Sequence, residues 1–262
     1  MGNKRNRLKK FLTAHPICCY CGGGTSASTE DHWPSRSIFK ERKWPQGYVF
    51  PACIPCQQTT SDDETLFALL CRLHPKDETQ EEIEHTRKLM AAISERLPDI
   101  YHSFFPSANK VKSWLRESKQ KIMPGQTTKD IPMLSLEHPG INERVRNCAA
   151  KLFLSLHYLH TKKILPSKGG IFFMWYSNAN MPNVEFSDVL SPFTSNLPNL
   201  KWQHVDLSDQ FLYRYGHDHH GETSIFHVVF HASIGMIGVA FSDLSEITIE
   251  TPLQLVKPFT HN

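Results

Sequence analysis

The chain has 262 residues, 40% hydrophobic and 21% charged, enough for a packed core and inconsistent with global disorder. A formal net charge of only +3 excludes a uniformly basic, adhesive protein. No window of about 18 uncharged apolar residues occurs and the start lacks the apolar core of a signal peptide, so neither a membrane span nor a membrane partner is expected.

The chain opens on a basic cluster, Lys4, Arg5, Arg7, Lys9 and Lys10, with no acid among them. It reads as a solvated helix start that can also contact phosphates. Cys18-x-x-Cys21 follows, running into Gly22-Gly23-Gly24, the shape of a zinc knuckle. A polar stretch then reaches Asp31-His32-Trp33-Pro34. Pro34, Pro45, Pro51 and Pro55 make the next segment a poor helix, with a short strand expected at Tyr48–Phe50. Cys53-x-x-Cys56 closes it. Ser61-Asp-Asp-Glu64 looks like a capping box, and Leu66, Phe67, Leu69, Leu70 and Leu73 supply an apolar stripe that Pro75 stops.

Helices are expected over Asp77–Leu97, Ser107–Ile122 and residues 140–161, with a connecting loop at 124–138. The last of these places Val145, Cys148, Ala149, Leu152, Phe153, Leu156 and Leu159 at helical spacing, as a core helix would. His157 and His160 on it read as structural. Strands are expected at Ile171–Tyr176, Lys201–Asp206, Phe211–Tyr215, Ser224–His231 and Ile234–Phe241. Val228–Phe230 and Ile237–Val239 are expected to pair across an Ala232-Ser233 turn. His217-Asp218-His219-His220 reads as a polar turn rather than a metal site. The class is α+β: residues 1–75 as a first unit, 76–165 as a helical region, and 166–262 as a mostly antiparallel β region.

Seven cysteines, four of them in C-x-x-C pairs, suit a reducing cytoplasmic compartment. Cys18, Cys21, Cys53 and Cys56 can close a tetrahedral zinc site, the alternative being redox thiols or incidental cysteines. Cys71 and Cys148 fall in apolar helical patterns and read as buried and inert. Inside the bracket, His32 has an ordinary pKa near neutrality and can act as a general base, and Asp31 can hold Mg²⁺ or Mn²⁺. Adjacent residues of a strand point to opposite faces, so Asp31 and His32 need a bend or a hairpin end to converge. Gln57 offers an amide oxygen, or is simply a helix-start residue. Asp62, Asp63 and Glu64 read as helix caps rather than ligands. Arg36, ahead of Lys40, Arg42 and Lys43, can hold a substrate phosphate, or belongs to a solvated loop.

The order Cys18-x-x-Cys21, Asp31-His32-x-Pro34, Pro51-Ala-Cys53-x-x-Cys56 and the acidic helix after it resembles the zinc-containing four-cysteine branch of the HNH, or ββα-metal, endonucleases. Val49–Glu64 also looks like the "PACxxCN…S-x-DE" run of HNH proteins. The resemblance covers roughly residues 15–75. It implies an N-terminal ββα-metal nuclease unit with structural zinc on the four cysteines and a catalytic Mg²⁺ or Mn²⁺ on Asp31 and residue 57. It further implies His32 as the base, DNA as partner (branched or single-stranded forms included, a homodimer being compatible), and products with 5′-phosphate and 3′-hydroxyl ends. The chain departs from the family at position 57, where glutamine replaces asparagine. A zinc-stabilised nucleic-acid-binding module without cleavage is the alternative. A third reading makes the C-terminal sheet a sensor or partner-binding domain controlling the nuclease.

Overall fold

The computed structural model of the protein describes residues 2–73, 79–117, 119, 125, 127–128, 133–178, 200–245, 247 and 253–261. The basic start forms α1 (Gly2–Ala14). The knuckle follows, with Gly22 and Gly23 at φ 68° and 82°. Glycine is required at 22, since a Cβ there would sit 2.8 Å from the backbone nitrogen of Ser167. β1 (Thr29–His32) pairs antiparallel with β2 (Val49–Ala52), Asp31 opposite Phe50 and His32 opposite Val49. The proline-rich segment between them is irregular, with short 3₁₀ turns at Arg36–Ile38 and Lys40–Arg42. α2 (Ile54–Gln58) follows β2 directly, with Cys53 as N-cap and Pro55 in its first turn, where a missing N–H is harmless. Strand, strand and helix thus follow in ββα order.

α3 (Ser61–Arg72) carries the expected apolar stripe, but the Ser61–Glu64 capping box does not form. Thr60 is the N-cap and its hydroxyl donates to Glu64 Oε1, so the carboxylate is drawn into the interior. The box appears instead at Thr79 and Glu82, opening α4 (Gln80–Arg96). α5 (Pro98–Ser103) and α6 (Ala108–Glu117) follow. The stop at Pro75, the helix start at Asp77 and the stretch 120–124 lie outside the described residues. α7 (Pro139–Thr161) is buried all round its middle, from Cys148 to His157. It contacts α3 on one side and the sheet on the other.

The large sheet has six antiparallel strands in the order β4-β5-β6-β7-β3-β8. They are β3 (Gly170–Ser177), β4 (Lys201–Gln203), β5 (Phe211–His217), β6 (Thr223–Phe230), β7 (Ile234–Phe241) and β8 (Gln254–Val256). β6 and β7 form the expected hairpin in a different register: Val228 faces Met236 and Phe230 faces Ile234. The turn takes three residues because His231 and Ala232 both adopt left-handed conformations, at φ 51° and 57°. At the β5–β6 turn the Asp218 carboxylate accepts from the Glu222 and Thr223 amides, so the histidine-rich segment is a polar turn. The protein is an α+β structure whose main core cluster, among the described residues, runs from Cys18 and Trp33 through α3 and α7 into the sheet, with a smaller cluster around Ile225, Ile237, Val239 and Leu253. Aromatic contacts join the first unit to the sheet: Phe67 meets Phe230 at 5.3 Å and Tyr48 meets Phe211 at 5.4 Å. Each such fully buried ring contributes about 1.5–3 kcal/mol.

Candidate metal centre and the His32 cleft

The antiparallel hairpin brings the end of β2 beside the knuckle, where the Cys19 amide donates to the Pro51 carbonyl. Cys53 and Cys56 at the start of α2 thereby meet Cys18 and Cys21. All four Sγ atoms lie within 4.8 Å of one another. Zinc–sulfur bonds of about 2.3 Å set tetrahedral sulfur separations near 3.8 Å, so the four thiols fit one zinc with small adjustments. Their protons are in conflict without a cation. A hydrogen bond from Cys56 pulls the Cys18 thiol down to about 5, and the same contact pushes Cys56 up. Zinc would resolve this by taking all four as thiolates. Cys19, Cys71 and Cys148 are buried, and burial raises their thiols well above the ordinary range.

β1 alternates, and no bend cancels the alternation. Glu30 and His32 line an open cleft of about 500 Å³, whereas Asp31 is buried on the opposite face. The cleft is also lined by Arg7 of α1, Arg36 and Trp44 of the loop, and His15, Tyr158 and Lys162. Arg7 pairs with Glu30 at 2.7 Å. The His32 ring lies 4.2 Å from that of Trp44, whose face also carries the Arg36 guanidinium at 5.7 Å. Partial burial lowers the His32 pKa, Glu30 and Asp31 work against this, and the positive charges of Arg36 and Arg7 add to it. The imidazole is therefore neutral and able to accept a proton at neutral pH. His15 Nδ1 and the Tyr158 hydroxyl share a 2.7 Å hydrogen bond at the cleft wall.

Asp31 faces α7. Its Oδ2 lies 2.9 Å from Lys151 Nζ, which also lies 2.8 Å from Glu64 Oε1 and 3.1 Å from Thr60 Oγ1. The Asp31 contact is an ion pair without hydrogen-bond alignment. Burial alone lowers the Lys151 pKa, but the Asp31 and Glu64 carboxylates outweigh it and hold the ammonium above its ordinary pKa. Burial likewise pushes Glu64 up, against the pull of Lys151. Gln57 is committed elsewhere: its Nε2 donates to the Glu30 carbonyl, tying α2 to β1, and it does not line the cleft.

The structure thus gathers the four cysteines in one place and His32, Arg7 and Arg36 in another. Asp31 and Gln57, the expected ligands of Mg²⁺ or Mn²⁺, do not line the cleft with His32, and each is engaged elsewhere, Asp31 with Lys151 and Gln57 with the Glu30 carbonyl. Arg5 is exposed on α1 away from the cleft lining, and the Lys4 side chain lies outside the described residues. Asp62 pairs with Arg96, and Asp63 with Arg144 and Asn147. Sequence reasoning missed Glu30, Trp44, His15, Lys162 and Lys151. Glu30 was within reach of two-residue alternation from His32; the others come from distant segments and carry no local signal. No helix among the described residues is long and apolar enough to cross a membrane. Comparisons of the chain with protein-family models, with curated proteins and with solved structures find no match.

Proposed function

We propose that the N-terminal ββα unit is a zinc-stapled endonuclease that takes a nucleic-acid phosphodiester into the His32 cleft. One observation carries the reading: an imidazole whose pKa burial lowers lies against an indole ring and shares an open cleft with two guanidiniums, in the same hairpin unit as the four-cysteine cluster. Zinc on the four thiolates supplies the fold that holds β1, β2 and α2 together. In the cleft, Arg7 and Arg36 attract the phosphate and Trp44 offers a face for a base. His32 takes a proton from water as the oxygen attacks phosphorus. The guanidiniums meet the charge that builds on the phosphoryl oxygens. The bond from phosphorus to the 3′-oxygen breaks, that oxygen takes a proton from solvent, and the ends are a 5′-phosphate and a 3′-hydroxyl. No step is assigned to a divalent cation on Asp31 and Gln57.

A second reading, a nucleic-acid-binding module without cleavage, is favoured by the commitment of Asp31 to Lys151 and of Gln57 to Glu30. One experiment separates them. The zinc-loaded protein is incubated with supercoiled, linear, branched and single-stranded DNA, with and without Mg²⁺ or Mn²⁺. Nicking that disappears in His32→Ala, with zinc content and folding retained, supports the nuclease. Salt-sensitive binding with no products under any condition supports the binder.

A further inference from the structure

Lys151 is 1% exposed in the middle of α7, yet it is charged. An unpaired ammonium in such a place would cost several kcal/mol, so its surroundings must be arranged for it. They are. Oxygens from three side chains surround Nζ: Asp31 Oδ2 of β1, Glu64 Oε1 of α3 and the hydroxyl of Thr60, the residue just before α3. Two ring faces complete the shell, Trp33 at 5.1 Å and Tyr20 at 5.7 Å. Two carboxylates, a hydroxyl and two π faces converging on one point form a cation site, and a lysine of this same chain fills it.

We propose that Lys151 is the built-in cation of the ββα unit, and that Asp31 therefore takes no divalent metal ion in the native protein. The separations of 2.8 to 3.1 Å suit an ammonium. Mg²⁺ demands oxygens at about 2.0–2.1 Å in octahedral array with several waters, and the Nζ atom already occupies the space between the Asp31 and Glu64 carboxylates. The expectation that Asp31 serves a catalytic cation thus fails because a side chain from α7 has taken the position. The same contact latches the helical core to the cysteine-bracketed hairpin. A second pair of contacts reinforces this latch, with Arg144 and Asn147 of α7 holding Asp63 of α3. The inference concerns the face of β1 opposite the His32 cleft and stands whether or not that cleft cleaves.

Mn²⁺ titration of the zinc-loaded full chain, followed by nuclear magnetic resonance of the five tryptophan indole N–H signals, tests it. A paramagnetic ion bound at Asp31 would lie close to Trp33 and erase its signal, and the Asp31→Asn variant separates this from an ion held in the neighbouring His32 cleft. The Trp33 signal, assigned with Trp33→Phe, is expected to survive millimolar Mn²⁺ in the native protein. Its selective loss there, abolished by Asp31→Asn, would overturn the proposal. Lys151→Met keeps the length and removes the charge. If folded, it is expected to gain a Mn²⁺ site that erases Trp33, and Lys151→Met/Asp31→Asn is expected to lose that site again. A folded Lys151→Met chain whose Trp33 signal ignores Mn²⁺ would also overturn it. Should Lys151→Met fail to fold, the native and Asp31→Asn titrations decide.

Discussion

His261 Nε2 lies 2.9 Å from Cys56 Sγ, so the C-terminal tail reaches the four-cysteine cluster. The tail is anchored on the way, with the Phe259 amide donating to the Tyr20 carbonyl and the Phe259 ring edge-on to Tyr20. With zinc in place Cys56 is a thiolate, and the imidazole N–H would donate to it. Such outer contacts commonly alter metal affinity by about 10–100-fold. His261→Ala is therefore expected to speed zinc transfer to a chromogenic chelator by about tenfold while leaving one zinc per chain at equilibrium. An unchanged transfer rate would show that the tail contact does not support the centre.

Removing a ligand goes further. Cys53 caps α2 and ends β2, so Cys53→Ala removes a sulfur and the staple between two elements together. Elemental analysis is expected to show zinc lost, and the thermal transition is expected to fall, since zinc binding at such sites is itself folding free energy. A variant retaining full zinc and an unshifted transition would reject the four-thiolate site.

What could be read in the chain depended on sequence distance. The two C-x-x-C pairs and a short strand near Tyr48–Phe50 are local features that could be read, whereas β1 lies in a polar stretch with no strand signal and its hairpin with β2 could not. Helix α7 announced itself through apolar residues at helical intervals. The divergence of Asp31 and His32 was implicit in strand alternation, and the structure supplies no bend to undo it. The partners that define each face were not legible. Lys151 looks like an ordinary polar position on an amphipathic helix until α7 is seen to be buried all round. Trp44, His15 and Lys162 meet at the cleft from three separate segments. Register failed for a similar reason, because the β6–β7 turn depends on left-handed backbone at His231 and Ala232, residue types that do not advertise it.

Acid should destabilise the fold through α7. His157 is fully buried, its Nδ1 sharing a 2.8 Å hydrogen bond with the Ser224 hydroxyl, and burial lowers its pKa to about 4 from 6.5. His160, hydrogen-bonded to Tyr213 and stacked on Tyr215, is lowered to about 4 by the same cause. The unfolded chain takes up these protons near the ordinary value and the folded chain resists. The stability from keeping both rings neutral is intact above about pH 6.5, declines as pH falls toward about 4, and levels off below. For His157 the full loss is about 3 kcal/mol. Denaturant midpoints measured across this window should fall with pH in the native protein and fall less steeply in His157→Gln. Parallel slopes would exclude His157 as a source.

Gly238 of β7 lies under the ring of Phe153 on α7, and a Cβ there would come within 2.6 Å of that ring. The helix can sit this close to the sheet only because the side chain is missing. Gly238→Ala should cost about 1–3 kcal/mol through overpacking, seen as a lowered denaturant midpoint. Combining it with Phe153→Leu, which shrinks the opposing ring, should recover part of that loss. If the double variant loses the sum of the two single costs, the clash is not the cause.

The His32 cleft makes a quantitative demand on binding. Arg36 lies over Trp44 in the lining, and on the proposed reading it meets a phosphate while the indole meets a base. Arg36→Ala should weaken binding to DNA of any sequence and reduce the slope of log affinity against log salt by about one. Trp44→Ala should cost about 1–3 kcal/mol of affinity, the worth of one stacked base, with little change in that slope. Arg214 provides the control. It also stacks on an indole, lying 4.0 Å from Trp202, but on the outer strands β4 and β5 of the sheet. Arg214→Ala should leave both quantities unchanged. Fluorescence anisotropy with a labelled oligonucleotide over a range of salt concentrations reads affinity and slope together. Equal effects of Arg36→Ala and Arg214→Ala would mean that binding follows the chain's general positive charge and not this cleft.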